Sequence, residues 1–136
     1  MNILVAVTSS EYAQKALVEA IQLAKKEGAS LTLCCVAPRV GLFDDMPPTF
    51  VDKLRNEAEK VTADAQAKVA AAGLTASVDV REGTSAAEQI IGAAVQANAD
   101  LIVLGHRDQS ELDKLLVGSV ALQVVSHAPC SVYVVK

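Results

Sequence analysis

The segment from Gly105 to Ser119 combines residue types that can hold an anion. The first glycine follows an apolar run, a polar stretch containing Arg107 comes next, and Gly118 opens a second apolar-periodic segment. This order predicts a buried strand, a polar loop and then the N-terminus of a helix. Backbone N–H groups at a helix start are unpaired and carry partial positive charge, and serine is a favoured capping residue. The segment therefore has the layout of an anion site.

The bulk composition limits the classes of function that the chain can have. Its 136 residues fit a single domain spanning 1–136, and 51% of them are hydrophobic while only 3% are aromatic. A net charge of −4 argues against general nucleic-acid binding, which needs a basic face. No stretch approaches the ~20 apolar residues of a membrane span, and no signal-peptide pattern opens the chain. We expect a cytoplasmic protein with no membrane or nucleic-acid partner.

The three cysteines favour packing over chemistry. Cys34 and Cys35 are neighbours in an apolar run, and Cys130 follows a proline. Neighbouring residues of a strand point to opposite faces, so this pair cannot easily chelate one ion. Metal-ligand spacing is missing as well. We therefore interpret all three as small buried hydrophobes and predict no metal site formed by the protein.

Apolar runs and helical periodicity alternate along the chain. Strands are predicted at 2–8, 31–36, 76–81, 101–104 and 130–135, and helices are predicted between them. Ser9 or Ser10 can cap the first helix, Gly28 ends it, and Ser85 with Glu88 forms a capping box. Strands that alternate with helices indicate a parallel α/β sheet with right-handed crossovers and helices on both faces.

Two features of this predicted sheet bear on function. The third strand alternates apolar and polar residues, as in Val78 and Asp79, which is typical of an edge strand with one wet face. Ligands of such sheets bind outside the carboxyl ends of the strands, at the switch point of the topology. Thr8 to Ser10 after the first strand and the loop after Gly105 are the two suitable ends.

The loop at 38–49 carries apolar residues among its glycine, acidic residues and prolines. Leu42, Phe43 and Met46 are unusual in a loop of this length. They indicate a lid or a partner surface, or else packing against the end of the domain itself.

The glycine spacing and the closing segment from His127 to Val132 resemble the universal stress protein superfamily over the whole chain. The nucleotide motif of that family is a glycine, two residues, a second glycine, nine residues and then Gly-Ser or Gly-Thr. The same spacing runs from Gly105 through position 108 to Gly118 and Ser119. The resemblance implies an open five-stranded parallel sheet in the order 3-2-1-4-5, of the adenine nucleotide alpha hydrolase-like class. It also implies a homodimer formed through the C-terminal strand.

The resemblance implies a binding site for ATP or AMP, with Mg²⁺ accompanying ATP. The residues that would form it lie on an adenosine side (Ala6, Val7, Thr8 and Val36) and on a phosphate side (Gly105, Arg107, Asp108, Gly118, Ser119 and Val120).

Two positions depart from the family pattern. Thr8 stands where ATP-binding members usually have Asp, so any contact to adenosine lacks charge assistance. Asp108 replaces the second glycine and brings a carboxylate towards the phosphates. At ~4 Å and an effective dielectric near 20 the repulsion is about 4 kcal/mol. A bridging Mg²⁺, or Arg107 turned inward, reverses its sign.

Three functions remain open on the sequence alone. The chain is a stress-associated regulatory protein that binds adenine nucleotide, a nucleotide-free dimeric interaction module, or a slow ATP hydrolase. A Ser119–His106–Asp108 triad has no support from spacing. We interpret Ser119 as a helix cap and phosphate ligand, and His106 as an exposed loop residue. No catalytic residue is assigned. A response-regulator receiver is excluded, because no paired acids follow the first strand.

Overall fold

Strands and helices alternate along the chain in the computed structural model, which describes residues 1–38, 47–107 and 118–136. The elements are β1 (Asn2–Ala6), α1 (Glu11–Glu27), β2 (Ser30–Pro38), α2 (Pro48–Ala71), β3 (Ala76–Gly83), α3 (Ala86–Gln96), β4 (Leu101–Gly105), α4 (Ser119–His127) and β5 (Ser131–Val135). The predicted loop residues Leu42, Phe43 and Met46, and Asp108 as well, lie outside the described residues.

The five strands form one parallel sheet in the order β3-β2-β1-β4-β5. This confirms the predicted order and the edge position of β3. β1 lies between β2 and β4. The chain adds β2 and β3 on one side of β1 and then β4 and β5 on its other side. The switch point of the topology is therefore at the carboxyl ends of β1 and β4.

Each face of the sheet has its own apolar core. On one face α1 and α2 pack on residues such as Val5 and Leu33; on the other, α3 and α4 pack on Leu4 and Ile102. Small helix residues, mostly alanines, let the helices approach the sheet closely. The chain therefore fills both cores with few aromatic side chains.

The helix ends follow the sequence signals closely in α1 and α3. The Ser10 hydroxyl accepts a hydrogen bond from the Ala13 N–H, and Gly28 ends α1 with φ of 65°. The Ser85 hydroxyl accepts from the Glu88 N–H at the start of α3. Each side-chain cap satisfies a backbone donor that the helix itself leaves unpaired.

The prediction that β3 has one exposed face and one buried face was incomplete. Val78 and Val80 were expected to be the buried side of the alternation, but both are exposed. Asp79 and Arg81 on the other side are half-buried and paired to each other, with 3.0 Å between the Arg81 Nε and the Asp79 Oδ2. An edge strand has a covering helix over only part of its width, so neither face is fully dry.

The structure predicts opposite signs for two glycine substitutions. A Cβ added at Gly105 would lie 2.8 Å from the Tyr12 carbonyl carbon and 2.9 Å from the Ala13 N, which are backbone atoms that cannot move aside cheaply. Gly105→Ala should cost about 1–3 kcal/mol of unfolding free energy. A Cβ at Gly92 meets only the end of the flexible Arg81 side chain. Gly92→Ala lies inside a helix and should gain up to about 1 kcal/mol.

Urea unfolding of the two variants and the parent chain measures this contrast. If Gly105→Ala and Gly92→Ala changed the free energy of unfolding equally, β4 would not approach α1 as closely as described.

Candidate functional site

The candidate site lies at the carboxyl ends of β1 and β4, where two helices begin. β1 ends at Ala6, and the Val7 N–H still donates to the Cys34 carbonyl at 2.8 Å. β2 continues to Pro38, four residues beyond its last pair with β1. Because β2 extends beyond the end of β1, the last residues of β2 have no β1 residue beside them.

The end of β4 is held against the first turn of α1. Gly105 lies so close to the backbone of Tyr12 and Ala13 that a side chain at this position would collide with it. The next residue extends the sheet by one bond, since the His106 N–H donates to the Val135 carbonyl at 2.7 Å. The segment after β4 is thus fixed on two sides.

The start of α4 is held by the same segment. The Gly118 N–H donates to the His106 carbonyl at 2.9 Å. A Cβ added at Gly118 would lie 3.0 Å from the Arg107 Cβ, so α4 begins directly against Arg107. Gly118 occupies the N-cap position and makes no side-chain cap bond, while Ser119 is the first helical residue. The interpretation of Ser119 as the cap was therefore wrong.

Arg107 is buried, and part of its hydrogen-bonding capacity is unused. The residue is 8% exposed, and its Nε and Nη1 atoms have no hydrogen-bond partner among the described residues. The guanidinium carbon lies 5.6 Å from the centre of the Tyr12 ring, a cation–π distance. A buried cation is costly in free energy unless an anion pairs with it, so the position of this guanidinium is suited to an anion.

His106 is also buried, contrary to the expectation of an exposed loop residue. Only 1% of it is exposed, and neither ring nitrogen has a hydrogen-bond partner in the part of the chain that the structure describes. Its ring lies 5.6 Å from that of Tyr12, tilted by 58°. Burial, and then the positive charges of Lys136 and Arg107, hold the pKa of His106 below its usual range. The ring is therefore neutral at physiological pH.

The Thr8 hydroxyl takes part in the cap of α1. It donates to the Ser10 Oγ at 2.9 Å and accepts from the Ser10 N–H at 3.1 Å. The Thr8 carbonyl accepts from the Gln14 side chain at 2.7 Å. The position expected to contact adenosine thus has local hydrogen bonds of its own.

The predicted site residues within the described ranges share this edge of the sheet. The adenosine-side set lies at the end of β1 or in the overhang of β2, where Val7 is buried while Ala6, Thr8 and Val36 are half-buried. On the phosphate side, Gly105 ends β4, Arg107 follows it, and Gly118, Ser119 and Val120 begin α4. Asp108 lies outside the described residues, so its repulsion of phosphate stays a prediction.

Sequence reasoning missed Tyr12 and the cations around it. Tyr12 contacts the ring of His106 and the guanidinium of Arg107, and the Lys15 Nζ lies 5.4 Å from its ring centre. The available signal was an aromatic residue, rare in this chain, in the first turn of a helix that begins at the carboxyl edge of the sheet.

Nucleophilic and metal chemistry find little support in the described ranges. Because neither nitrogen of His106 is hydrogen-bonded, this residue does not activate Ser119. Within the same ranges, no group of three acidic, His or Cys side chains is placed to hold a metal ion. Cys34 and Cys35 lie in opposite cores as predicted, and burial raises the pKa of Cys34 to about 12. The Cys34 thiol is thus a packing group.

Burial of His106 predicts a loss of stability at mildly acidic pH. Since its pKa is lowered by folding, the unfolded chain binds more protons here, and stability falls as pH drops below the unfolded value of about 6.5. Above that pH His106 is neutral in both the folded and the unfolded chain, so it causes no loss of stability there. His106→Gln should therefore reduce the drop in unfolding free energy between pH 7.5 and 5.5.

His127 is the matched control, because it is the other histidine and is exposed. His127→Gln should keep the pH dependence of the parent chain. Denaturant unfolding at the two pH values measures both variants, and parallel pH profiles for His106→Gln and the parent would contradict the prediction.

Comparison with known proteins identifies the family. The family model described as the universal stress protein family matches residues 1–136. Universal stress protein YxiE of Bacillus subtilis is 31% identical, with 99% of this chain and 98% of that protein covered. The structure of universal stress protein UspA from Lactobacillus plantarum is 31% identical with a TM-score of 0.79, covering 100% of this chain and 97% of that one.

Two solved structures with the same fold are complexes with nucleotides. One is a universal stress protein in complex with cAMP, 22% identical with a TM-score of 0.77 over 100% of this chain and 97% of that one. The other is the universal stress protein from Archaeoglobus fulgidus in complex with dAMP, 23% identical with a TM-score of 0.76 over 100% and 98%. None of the helices in the described ranges is long and apolar enough to cross a membrane. By its family match and its relatives, the chain belongs to the universal stress protein family.

Proposed function

We propose that this protein is a cytoplasmic, stress-associated regulatory protein that binds ATP or AMP at the carboxyl edge of β1 and β4. The observation that carries the proposal is the buried Arg107: its Nε and Nη1 atoms have no hydrogen-bond partner among the described residues, and its Cβ adjoins Gly118 at the start of α4. Two proteins of the same fold are described with AMP-type nucleotides. Their similarity to this chain supports a shared fold, and Arg107 is the feature of this chain that supports binding of an anion at the site.

The described residues fit the two ends of such a nucleotide differently. Towards the phosphates, the backbone N–H groups in the first turn of α4 and the charge of Arg107 would supply donors and attraction. Towards the base, Ala6 and Val36 supply half-buried apolar contacts. Mg²⁺, when it accompanies ATP, would be held mainly by the phosphates, and it would offset the predicted repulsion from Asp108.

We propose binding without efficient turnover. Hydrolysis needs a positioned base, and within the described ranges the neutral ring of His106 makes no hydrogen bond to Ser119. We expect the nucleotide to bind reversibly, so that the fraction of protein with bound nucleotide follows the nucleotide concentration.

Calorimetric titration with ATP and AMP, each with and without Mg²⁺, tests the proposed function. We expect a dissociation constant below about 1 mM for ATP with Mg²⁺, equivalent to roughly 4 kcal/mol of binding free energy. Gly118→Ala should weaken binding, because its Cβ would press on Arg107. Gly92→Ala, in the middle of α3, is the control for the added methyl group. Absence of binding heat with millimolar ATP would refute the proposed function.

A second candidate function, a dimeric interaction module, is favoured by the free edge of β5. This strand pairs only with β4 among the described strands, and Tyr133 on it is 40% exposed. The Val135 carbonyl faces β4, so by strand alternation the backbone groups of Val132 and Val134 face outward. A second copy of the chain could pair with that edge.

The two variants Val134→Pro and Val134→Ala test this edge. Proline removes an outward N–H and should convert the dimer to a monomer, whereas alanine keeps the N–H and should leave the dimer intact. Sedimentation velocity measures both. A dimer that survives Val134→Pro would exclude pairing through β5. The same measurement on truncated chains would be uninformative, because Val135 is buried and belongs to the core.

A further inference from the structure

We propose that Tyr12 is a positioning residue of the candidate site: its ring holds the Arg107 guanidinium in place for an anion without neutralising it. The inference rests on the proposed function, because the anion concerned is the one that Arg107 would bind there. It goes beyond that function by assigning a role to a residue of α1 that belongs to neither the predicted adenosine side nor the predicted phosphate side.

The backbone of Tyr12 is held against the end of β4. A Cβ added at Gly105 would lie 2.8 Å from the Tyr12 carbonyl carbon and 2.9 Å from the Tyr12 Cβ, so the first turn of α1 packs directly on this glycine. The Ser10 Oγ accepts from the Ala13 N–H at 3.2 Å and fixes the start of the helix. The point from which the Tyr12 side chain leaves α1 is therefore set by contacts between described residues.

The Tyr12 ring lies against both residues that follow Gly105. Its centre is 5.6 Å from that of the His106 ring, with 58° between the two planes, and 5.6 Å from the Arg107 guanidinium carbon. His106 and Arg107 are buried, and Tyr12 is half-buried. Tilted ring pairs and cation–π contacts at these separations are attractive, and the attraction to a cation is larger where water is excluded. The ring therefore restrains the guanidinium from one side.

An aromatic ring suits this role because it attracts a cation through its π face. A carboxylate in the same place would accept the guanidinium N–H groups and cancel their charge, and a ligand anion would have to displace it. A planar guanidinium carries its N–H donors in its own plane, so stacking on a ring leaves them for another acceptor. Restraint before binding also reduces the side-chain entropy that an arginine loses when a ligand arrives.

Lys15 provides a contrast at the same ring. Its Nζ lies 5.4 Å from the centre of the Tyr12 ring, but the side chain is exposed and pairs with the Glu11 Oε1 at 3.5 Å. An exposed, paired cation of this kind is well solvated and contributes little. Of these two cations beside Tyr12, Arg107 is the one whose restraint bears on a buried site.

Calorimetric titration with ATP and Mg²⁺ on Tyr12→Phe, Tyr12→Leu and the parent chain tests the inference. Phenylalanine keeps the ring and should hold the affinity within about twofold of the parent, whereas leucine removes the ring and should weaken binding roughly 3- to 30-fold, as expected for loss of a cation–π contact. Val18→Ala truncates an exposed side chain further along α1 and should bind like the parent. Thermal unfolding verifies that every variant is folded.

NMR of the Arg107 side chain tests the positioning step without any ligand. A ring beside the guanidinium shifts the side-chain proton resonances of Arg107 through its ring current. The shift should persist in Tyr12→Phe and be lost in Tyr12→Leu. A loss of stability in a variant that is still folded would not produce this pattern.

The possible results separate this inference from the proposed function. If the parent binds ATP and Tyr12→Leu binds it equally well, or if Tyr12→Phe is as weak as Tyr12→Leu, the inference is overturned and the proposed function stands. Arg107 resonances that are the same in the parent and in Tyr12→Leu would overturn the inference in the same way. A parent chain that binds no ATP at millimolar concentration would overturn both.

Discussion

The architecture of the site depends on the backbone of one residue, His106. Its N–H extends the sheet to β5 and its carbonyl accepts the first N–H of α4. Gly105 before it has no room for a side chain, because the first turn of α1 packs against that position. β5, α4 and α1 are therefore all positioned by two consecutive residues. With the backbone held in this way, the side chains of His106 and Arg107 are placed in the interior.

Burial of those side chains has an energetic consequence for the whole edge. Among the described residues, the imidazole of His106 and two nitrogen atoms of the Arg107 guanidinium have no hydrogen-bond partner, and burying such groups away from water costs free energy. The Tyr12 ring compensates in part through its contact with Arg107. The proposed anion site thus depends on local structure, in a chain whose net charge is −4.

Most of the fold could be predicted from the sequence, because it depends on signals that are local. Apolar runs such as the one from Leu101 to Leu104, and caps such as Ser10 and Ser85, sit where the strands and helix starts were expected. The resemblance added the strand order, which periodicity alone does not give. The exposure of Val78 depended on how far α2 covers the edge of the sheet, and that is a tertiary property that alternation cannot reveal. The burial of His106 was missed for the same reason, since it follows from contacts with Tyr12 and β5.

The sequence grouped the predicted site residues at one edge of the sheet, but it did not reveal their contacts. Spacing identified Gly105 and Gly118 as a pair, yet the reason that each is glycine emerged only from what its missing Cβ would meet. At both positions the constraint is close approach and not a positive φ, since neither is among the positive-φ glycines of the described ranges. Close approach draws α1 and α4 onto one short segment and leaves Arg107 between them. A substitution that keeps the backbone dihedral angles but adds volume would therefore push the helix starts apart and change the surroundings of Arg107.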